Sequence, residues 1–329
     1  MKFFLSAVAL IVLAGNLVSC QTSAIDDRRI TLSFTEDVDL TQDDYIKHLT
    51  TRMENTIGNV SDISVDGQTV TLTFKDVVTE IGEEAFSDFP LLASITIPNS
   101  VTEIGDGAFV CCESLTSISI PKSVTKIGDG AFAGCESLTS ISIPNSVTKI
   151  GGGAFLGCES LTSISIPKSV TEIGDRTFAG CESLTSISIP NSVTEIGDGA
   201  FTGCSSLRNF SNKFASADGR CLIIDGELTA FAGDGLSNYT IPNSVTEIGN
   251  EAFANCSSLT SVTIPNSVTE IGFMAFADCS SLTSITIPNS VTKIDDYAFA
   301  GCPLESVTVP RSAEIAENSF EKTTRVIYQ

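Results

Sequence analysis

The chain repeats one pattern every 23 residues, and this period restricts its fold more than any other feature. An Ile followed by Gly recurs at that interval at Ile104, Ile127, Ile150, Ile173 and Ile196. With few substitutions, the pattern continues as x-x-Ala-Phe-x-x-Cys-x-x-Leu-x-x-Ile-x-Ile-Pro. Because so short a unit cannot bury its apolar face alone, we expect near-identical coils stacked into a solenoid.

The repeat extends over most of the chain. One Leu opens the Leu-x-x-Ile-x-Ile segment of each coil, at Leu92, Leu115, Leu138, Leu161, Leu184, Leu207, Leu236, Leu259, Leu282 and Leu304. The longest interval falls at residues 207–235, where apolar runs flank Asp225-Gly226 and predict a β-hairpin in a 29-residue coil. The spacing of Val70–Phe74 predicts a coil in the same register before Leu92, and residues 324–328 predict a closing strand.

Each position within a coil has its own chemistry. Ile141 and Ile143 alternate with Ser142, which is the period of a half-buried strand, and Pro144 ends it. Stacking repeats this strand at about 4.8 Å and gives a parallel sheet with Leu and Ile inward and Ser or Thr outward. A second, shorter strand is predicted at residues 147–150, and the following Ala, Phe and Cys are expected to face the core.

These residues resemble the BspA-like leucine-rich repeats, a bacterial surface subclass with the pattern Leu-x-x-Ile-x-Ile-Pro-x-x-Val-x-x-Ile-x-x-x-Ala-Phe-x-x-Cys. The resemblance covers about residues 70–320. It implies a fold of class α/β to mostly β, a leucine-rich-repeat solenoid with a parallel β-sheet on one face. It also implies adhesion to host matrix proteins or to other bacteria.

The N-terminus indicates export. Residues 1–19 contain an apolar run that is too short to span a bilayer and has the form of a secretory signal. Leu17-Val18-Ser19-Cys20 resembles a bacterial lipobox, so Cys20 is the predicted site of lipidation and the lipid the only predicted contact with a membrane. Gln21 favours the outer membrane of a Gram-negative cell, and we expect exposure on the cell surface; a periplasmic orientation is the alternative.

Residues 20–68 predict a linker and a small N-terminal module ahead of the repeats at 69–329. A strand is expected at Arg29–Phe34, a helix at residues 42–57 and a hairpin about Asp66-Gly67, which together make a β-α-β-β unit. Such a unit would cover the open apolar end of the first coil. A separate binding role for the module is the alternative.

Cysteine recurs at one repeat position. Of the 11 Cys, eight share that position, at Cys112, Cys135, Cys158, Cys181, Cys204, Cys256, Cys279 and Cys302. Parallel stacking holds their Cβ atoms near the strand spacing of about 4.8 Å, beyond the roughly 3.8 Å usual for a disulfide. We therefore expect free, buried thiols that act as small apolar residues.

The chain is acidic, with 18 Lys and Arg against 40 Asp and Glu and a net charge of −22. This charge disfavours nucleic acid and anionic lipid as partners. Two acidic columns recur with the repeat: Glu113, Glu136, Glu159 and Glu182, and Asp106, Asp129, Asp175 and Asp198. We interpret them as solvated. Calcium bridging is the alternative, but no Asp-x-Asp-x-Asp-Gly loop is present, and we predict no metal and no cofactor.

The outward side of the main sheet is the candidate binding face. Its residues in the central coils are Thr116, Ser117, Ser119, Thr139, Ser140, Ser142, Thr162, Ser163, Ser165, Thr185, Ser186 and Ser188. Solenoid sheet faces commonly bind partners. The alternative is that Ser and Thr simply suit an exposed sheet, with hydroxyls bonding across strands.

An enzyme is not expected, because the only histidine, His48, lies outside the repeats and no Gly-rich phosphate loop is present. The sequence favours a monomeric, surface-anchored lipoprotein that binds a protein of the extracellular matrix or of a cell surface. A carbohydrate-capturing lipoprotein is a second interpretation, disfavoured by the absence of Trp and by only 4 Tyr. A structural or antigenic spacer without a ligand is a third.

Overall fold

The fold was analysed in a computed structural model, which describes residues 26–35, 40 and 43–329. The predicted signal at 1–19 and the predicted lipidation site Cys20 lie outside the described residues. In chain order the elements are β1 (Arg29–Phe34), α1 (Asp43–Thr56), β2 (Val60–Asp66), β3 (Thr69–Phe74), β4 (Glu80–Ile81), β5 (Leu92–Thr96), β6 (Glu103–Ile104), β7 (Ser117–Ser119), β8 (Lys126–Ile127), β9 (Ser140–Ser142), β10 (Lys149–Ile150), β11 (Ser163–Ser165), β12 (Glu172–Ile173), β13 (Ser186–Ser188), β14 (Glu195–Ile196), β15 (Asn209–Ser211), β16 (Cys221–Ile224), β17 (Glu227–Phe231), β18 (Asn238–Thr240), β19 (Glu247–Ile248), β20 (Ser261–Thr263), β21 (Glu270–Ile271), β22 (Ser284–Thr286), β23 (Lys293–Ile294), β24 (Ser306–Val309), β25 (Glu314–Ile315) and β26 (Arg325–Tyr328).

The stacked coils form a solenoid with a parallel sheet on one side, as the repeat predicts. The first sheet has nine strands in the order β15-β13-β11-β9-β7-β5-β1-β3-β2. From β5 to β15 the pairing is parallel and advances by one repeat per strand, so that Ile118 lies beside Ile141 and Ile141 beside Ile164. This strict register exists because a slip by one residue would turn the buried Ile outward.

The N-terminal module has the predicted β-α-β-β order, but it joins the sheet differently from our expectation. Val70–Phe74 was expected to start a coil in the common register, and on the first sheet this is wrong. Strand β1 lies between β3 and β5 and is antiparallel to both. Ile30 and Leu32 of β1 are fully buried, so β1 supplies the apolar inward row that β3 would otherwise provide. On the second sheet the expected register holds, since Ile81 pairs with Ile104.

Two further ladders close the other sides of each coil. The short strands β4 to β14 form a six-stranded parallel sheet, in which Ile104 pairs with Ile127. The Gly-x-x-Ala-Phe turns stack through backbone hydrogen bonds, such as the Phe132 amide to the Ala154 carbonyl at 2.8 Å. Gly130 and Gly134 have φ values of 60° and 71° within these turns, a conformation that glycine adopts without a steric cost.

The core is built from near-identical layers, one for each coil. In the coil that begins at Leu138, the inward residues are all buried: Leu138, Ile141, Ile143, Val147, Ile150, Ala154, Phe155 and Cys158. The Phe rings stack along the solenoid, with centroids 5.5 Å apart between Phe132 and Phe155 and 5.6 Å between Phe155 and Phe178. Buried Leu49 and Met53 of α1 belong to the same apolar cluster as the first coils.

The long coil at 207–235 interrupts both sheets. Strands β16 and β17 pair antiparallel about Asp225-Gly226, and β17 takes the second-sheet position beside β19. From here the strands belong to a separate six-stranded sheet, β16-β17-β19-β21-β23-β25, and a separate five-stranded sheet, β18-β20-β22-β24-β26. The buried residues likewise divide into two apolar clusters that meet at the long coil.

The C-terminal end continues the repeat with small changes. The ring of Phe320 stacks on Phe299 with centroids 5.1 Å apart, and β26 pairs parallel with β24 as the predicted closing strand. Among the described residues, the structure has no helix whose length and apolar character suit a crossing of the bilayer.

Candidate functional site

The predicted binding face is an ordered array of hydroxyl groups. Its serines lie in straight rows, because Ser119 pairs with Ser142, Ser142 with Ser165 and Ser165 with Ser188. The twelve predicted residues are the two serines of each of the strands β7, β9, β11 and β13 and the threonine before each strand. All twelve are exposed, while the Ile between the two serines of each strand is buried. The structure therefore brings the predicted residues together on one surface.

The threonines and serines of this face differ in their hydrogen bonds. The Thr162 hydroxyl donates to the Thr139 carbonyl at 3.2 Å, and the Thr139 hydroxyl to the Thr116 carbonyl at 3.5 Å. Within residues 43–329, the eight serine hydroxyls of β7 to β13 make no hydrogen bond to another protein group. Cross-strand bonding thus accounts for the hydroxyls of Thr139 and Thr162, whereas the eight serine hydroxyls remain available to solvent or to a partner.

A shallow groove borders the array. It lies at the carboxyl ends of β7 and β9 and is lined by Ser119, Lys122, Ser142 and Asn145, with a volume of about 540 Å³. This edge of the face is therefore concave, whereas the rows of serine are flat.

The array ends at the long coil, where other residue types take over its positions. Arg208 and Asn209 stand where the central coils have Thr and Ser. Arg208 Nε lies 2.5 Å from Asp234 Oδ2 in an exposed ion pair. The 29-residue interval marked this coil in the sequence, but Arg208 itself was not among the predicted site residues because it departs from the repeat only in side-chain type.

A polar cluster fills the gap between β15 and β18. The Tyr239 hydroxyl donates to Asp218 Oδ2 at 3.1 Å and lies 3.2 Å from Cys221 Sγ. Burial opposes ionisation of Asp218, yet hydrogen bonds from Ser216, the Arg220 amide and Tyr239 outweigh it and lower the Asp218 pKa. Burial raises the pKa of the Cys221 thiol to about 12, so that this thiol is neutral and is not a nucleophile at neutral pH.

The turns on either side of the long coil contact each other directly. The Asn250 side-chain amide donates to Asp198 Oδ2 at 2.9 Å, and the guanidinium of Arg176 pairs with the carboxylate of Glu251. A cleft of about 50 Å³ remains between these turns, lined in part by Phe201 and Cys256. It has room for a few waters but is far smaller than the roughly 300–1,000 Å³ of small-molecule sites.

The aspartate column has a structural role. Asp129 Oδ1 accepts the Gly152 amide at 2.9 Å, and Asp175 Oδ1 accepts the Asp198 amide at 3.0 Å. Each side chain thus bonds the backbone of the next coil. No group of three or more potential metal ligands occurs among the residues that the structure describes.

The cysteine position is built for a protonated thiol. Cys158 Sγ donates to the Phe132 carbonyl one coil back at 3.2 Å, and Cys181 Sγ to the Phe155 carbonyl at 3.3 Å. The ten cysteines of the described chain are free. Burial is the main cause that raises the pKa of Cys181, to about 12. His48 lies on the exposed side of α1, with its ring 6.5 Å from that of Phe89.

The sequence and the fold of the chain are similar to those of known repeat proteins. The model of the BspA type leucine rich repeat region matches six copies, over residues 66–185, 125–216 and 227–327. A leucine rich cell surface protein from Faecalibacterium prausnitzii is 31% identical, with a TM-score of 0.56 over 82% of this chain and 86% of that chain. The pneumococcal vaccine antigen PcpA shares the fold at 24% identity, with a TM-score of 0.63 over 82% of this chain and 75% of that chain. No curated protein sequence matches the chain significantly.

Proposed function

The chain belongs to the family of BspA-type leucine-rich repeat proteins, and on this basis we propose that it is a non-enzymatic cell-surface protein that binds a protein partner. The partner is a protein of the extracellular matrix or of another cell surface, and it contacts the outward side of β7, β9, β11 and β13. The observation that carries this proposal is the array of eight exposed serines whose hydroxyls have no partner within residues 43–329.

The chemistry of the face supports a protein ligand. Its rows repeat at the strand spacing of about 4.8 Å, which is also the spacing of backbone groups on neighbouring strands of a partner. The outward residues from Thr116 to Ser188 are Ser and Thr only, so this face offers no aromatic platform for a sugar ring. Weak contacts repeated over several coils sum to a stable complex with an extended partner.

The proposal includes a lipid anchor at Cys20 in the outer membrane. Its support is the apolar run before Cys20 and the form of Leu17-Val18-Ser19-Cys20, together with the surface location stated for the related Faecalibacterium protein. Protease treatment of intact cells tests the orientation. Cleavage of the repeats is the expected result, and a chain that is protected until the cells are lysed would rule out adhesion.

The binding face is tested by retention on an array of purified matrix proteins and glycans. A triple variant with Ser140, Ser163 and Ser186 changed to Glu places three charges in one row of the face. We expect binding to the retained matrix protein to fall at least about tenfold, because each partner contact would then have to desolvate a carboxylate.

A matched control changes Thr148, Thr171 and Thr194 to Glu. These residues belong to the same three coils but precede the strands of the second sheet, where they are exposed. We expect full binding by the control. Equal loss in both variants would indicate a general charge effect, and unchanged binding by the serine variant would place the site off this face.

A further inference from the structure

Two consecutive coils near the C-terminal end break the repeat at adjacent positions. The second residue after the Ile of each two-residue strand accepts a backbone amide of the next coil in several coils, as Asp129 after β8 and Asn250 after β19 do. In the coil of Ile271 this residue is Phe273, whose side chain cannot accept a hydrogen bond. One coil later, the third residue after the Ile is Tyr297, where most central coils have glycine and one has Arg176.

Each departure carries a local cost. Tyr297 has a φ of 59° and Met274, its equivalent in the preceding coil, a φ of 53°, both in the left-handed region that disfavours residues with a Cβ. Gly130 and Gly153 occupy the same position at a φ of 60° without this cost. Charged residues also occupy this position at positive φ, as Arg176 does at 51°, so the exposed aromatic ring is what sets Tyr297 apart from the other coils.

The two departures meet in space. The rings of Phe273 and Tyr297 lie edge to face, with centroids 6.0 Å apart and an interplanar angle of 84°. Phe273 is 37% exposed and Tyr297 42% exposed. Met274, which directly follows Phe273, is half-buried. Both aromatic rings are thus presented to solvent on a surface that in other coils carries glycine or polar side chains.

The surroundings of the aromatic pair are acidic. Asp296 directly precedes Tyr297, and its Oδ1 accepts only from the neutral side-chain and backbone amides of Asn318, each at 3.4 Å. In the described chain no cation forms an ion pair with Asp296 or with the exposed Glu317, the residue before Asn318. An aromatic face beside an unneutralised carboxylate is complementary to a guanidinium group, which stacks on rings and pairs with carboxylates.

We propose that Phe273, Tyr297 and Asp296 form a docking site for an arginine side chain on an extended basic segment of a protein partner. The guanidinium lies against the exposed rings and pairs with Asp296, while Met274 contacts the aliphatic part of the side chain. This site directly follows β21 and β23, so it is separate from the serine array of the first sheet and does not depend on it.

The edge-to-face geometry favours arginine over a carbohydrate. A sugar chain is best held by rings that offer flat faces in sequence, whereas rings at 84° to each other form a corner. The net charge of −22 also attracts a basic segment before contact is made.

The test uses a fluorescein-labelled peptide with two arginines among glycine and serine, and the same peptide with citrulline, the neutral analogue of arginine. The protein is the mature chain with the double change Phe273→Asp and Tyr297→Gly, which restores the residues of the central coils. We expect the arginine peptide to bind about three- to tenfold more weakly to this variant, by fluorescence anisotropy. We expect no loss of melting temperature, because the variant regains a backbone acceptor and a glycine at positive φ.

The double variant separates the site from general electrostatics, because it is more acidic than the parent chain. Attraction by net charge alone predicts binding that is unchanged or tighter, and this result would overturn the proposal. Equal binding of the arginine and citrulline peptides would overturn it as well. Leu156→Ala, which removes another exposed apolar side chain in a central coil, is the control and is expected to bind like the parent.

The same variants also distinguish a carbohydrate site. If the parent chain is retained on a glycan array, the double variant is not, and both bind the arginine peptide equally, the aromatic pair is a sugar site and the proposal is wrong.

Discussion

At the residue scale, the cysteine of each repeat occupies a buried position that suits a small apolar side chain with a hydrogen-bond donor. Cys158 is fully buried and donates to the Phe132 carbonyl. Serine would keep the donor but is more polar, and alanine would keep the apolar character but lose the donor. The same logic applies at Thr177, which stands in place of the repeat alanine and donates to the Gly174 carbonyl at 2.7 Å.

The buried thiols predict a loss of stability at alkaline pH. Burial raises the folded-state pKa of Cys112 and Cys181 from 9.0 to about 12, so the thiols stay protonated in the folded chain. Their contribution is complete below pH 9 and is lost as pH rises toward 12, at about 1.4 kcal/mol per pH unit for each thiol. Urea unfolding at a series of pH values should show this slope. A Cys112→Ala/Cys181→Ala variant should show a shallower slope, and an equal slope in both proteins would show that the buried thiols are not its cause.

The aspartate column predicts a difference between two substitutions at Asp129. Asp129→Asn keeps the acceptor for the Gly152 amide, as Asn250 does for the Phe273 amide at 2.8 Å. Asp129→Ala removes it and should lower the free energy of unfolding by about 1 kcal/mol. Urea unfolding of both variants decides between hydrogen bonding and charge. If Asn costs as much as Ala, the carboxylate charge is what matters.

At the element scale, the long coil joins two stacks that share no strand pairing. Phe201 ends one run of stacked rings and meets Phe210 at an interplanar angle of 70°, and a second run starts at Phe231. Arg220 stabilises this break, since its Nη1 donates to the carbonyls of Ala232 and Asp234, each at 2.9 Å. The long coil is therefore a junction whose cohesion depends on a few side chains.

If Arg220 is changed to Met, we expect the two stacks to unfold separately. Met keeps the aliphatic part of the side chain but removes the hydrogen-bond donors of the guanidinium. Three of the four tyrosines, Tyr239, Tyr297 and Tyr328, follow the junction, so tyrosine fluorescence reports mainly on the C-terminal stack. Circular dichroism reports on both stacks. We expect the two urea transitions to coincide in the parent and to separate in the variant, because repeat arrays lose cooperativity at a weak interface. Coincident transitions in Arg220→Met would show that apolar contacts alone couple the stacks.

At the scale of the whole molecule, part of the charge of −22 is carried by columns that repeat with the coils. Glu113, Glu136 and Glu159 are exposed and stacked at about the strand spacing, where each like pair is repulsive by up to roughly 1 kcal/mol in water. Such repulsion keeps the molecule soluble and is screened by salt.

The columns predict that salt stabilises the chain without a specific role for calcium. The melting temperature should rise between low salt and physiological ionic strength. It should rise equally in sodium chloride and in calcium chloride of the same ionic strength, because no cluster of three potential ligands occurs among the described residues. An additional rise in calcium would identify bound cations in the columns.

The sequence predicted the parts of the fold that depend on periodicity. The alternation of Ile141 and Ile143 with Ser142 gave the strand and its outward face, and Asp225-Gly226 marked the hairpin turn. It did not predict the position of β1, because one short strand with Ile30 and Leu32 inward fits either edge of a sheet equally well. The order of strands there depends on long-range packing, which a local pattern does not record.

The candidate sites divide in the same way. The serine array follows from the repeat, so its residues were predictable by counting. Phe273 and Tyr297 meet only because two coils stack, and the backbone strain at Tyr297 is visible only as a φ angle. A comparison of each coil with the repeat could have marked both residues as departures, but not their contact.

Amide hydrogen exchange tests the central claim, that a protein partner binds the serine face. The mature chain is compared with its complex with a matrix protein retained on the array. We expect slower exchange in β7, β9, β11 and β13 and little change in β8, β10, β12 and β14 of the second sheet. Protection that is confined to the second sheet or to the turns, with β7 to β13 unchanged, would contradict this claim.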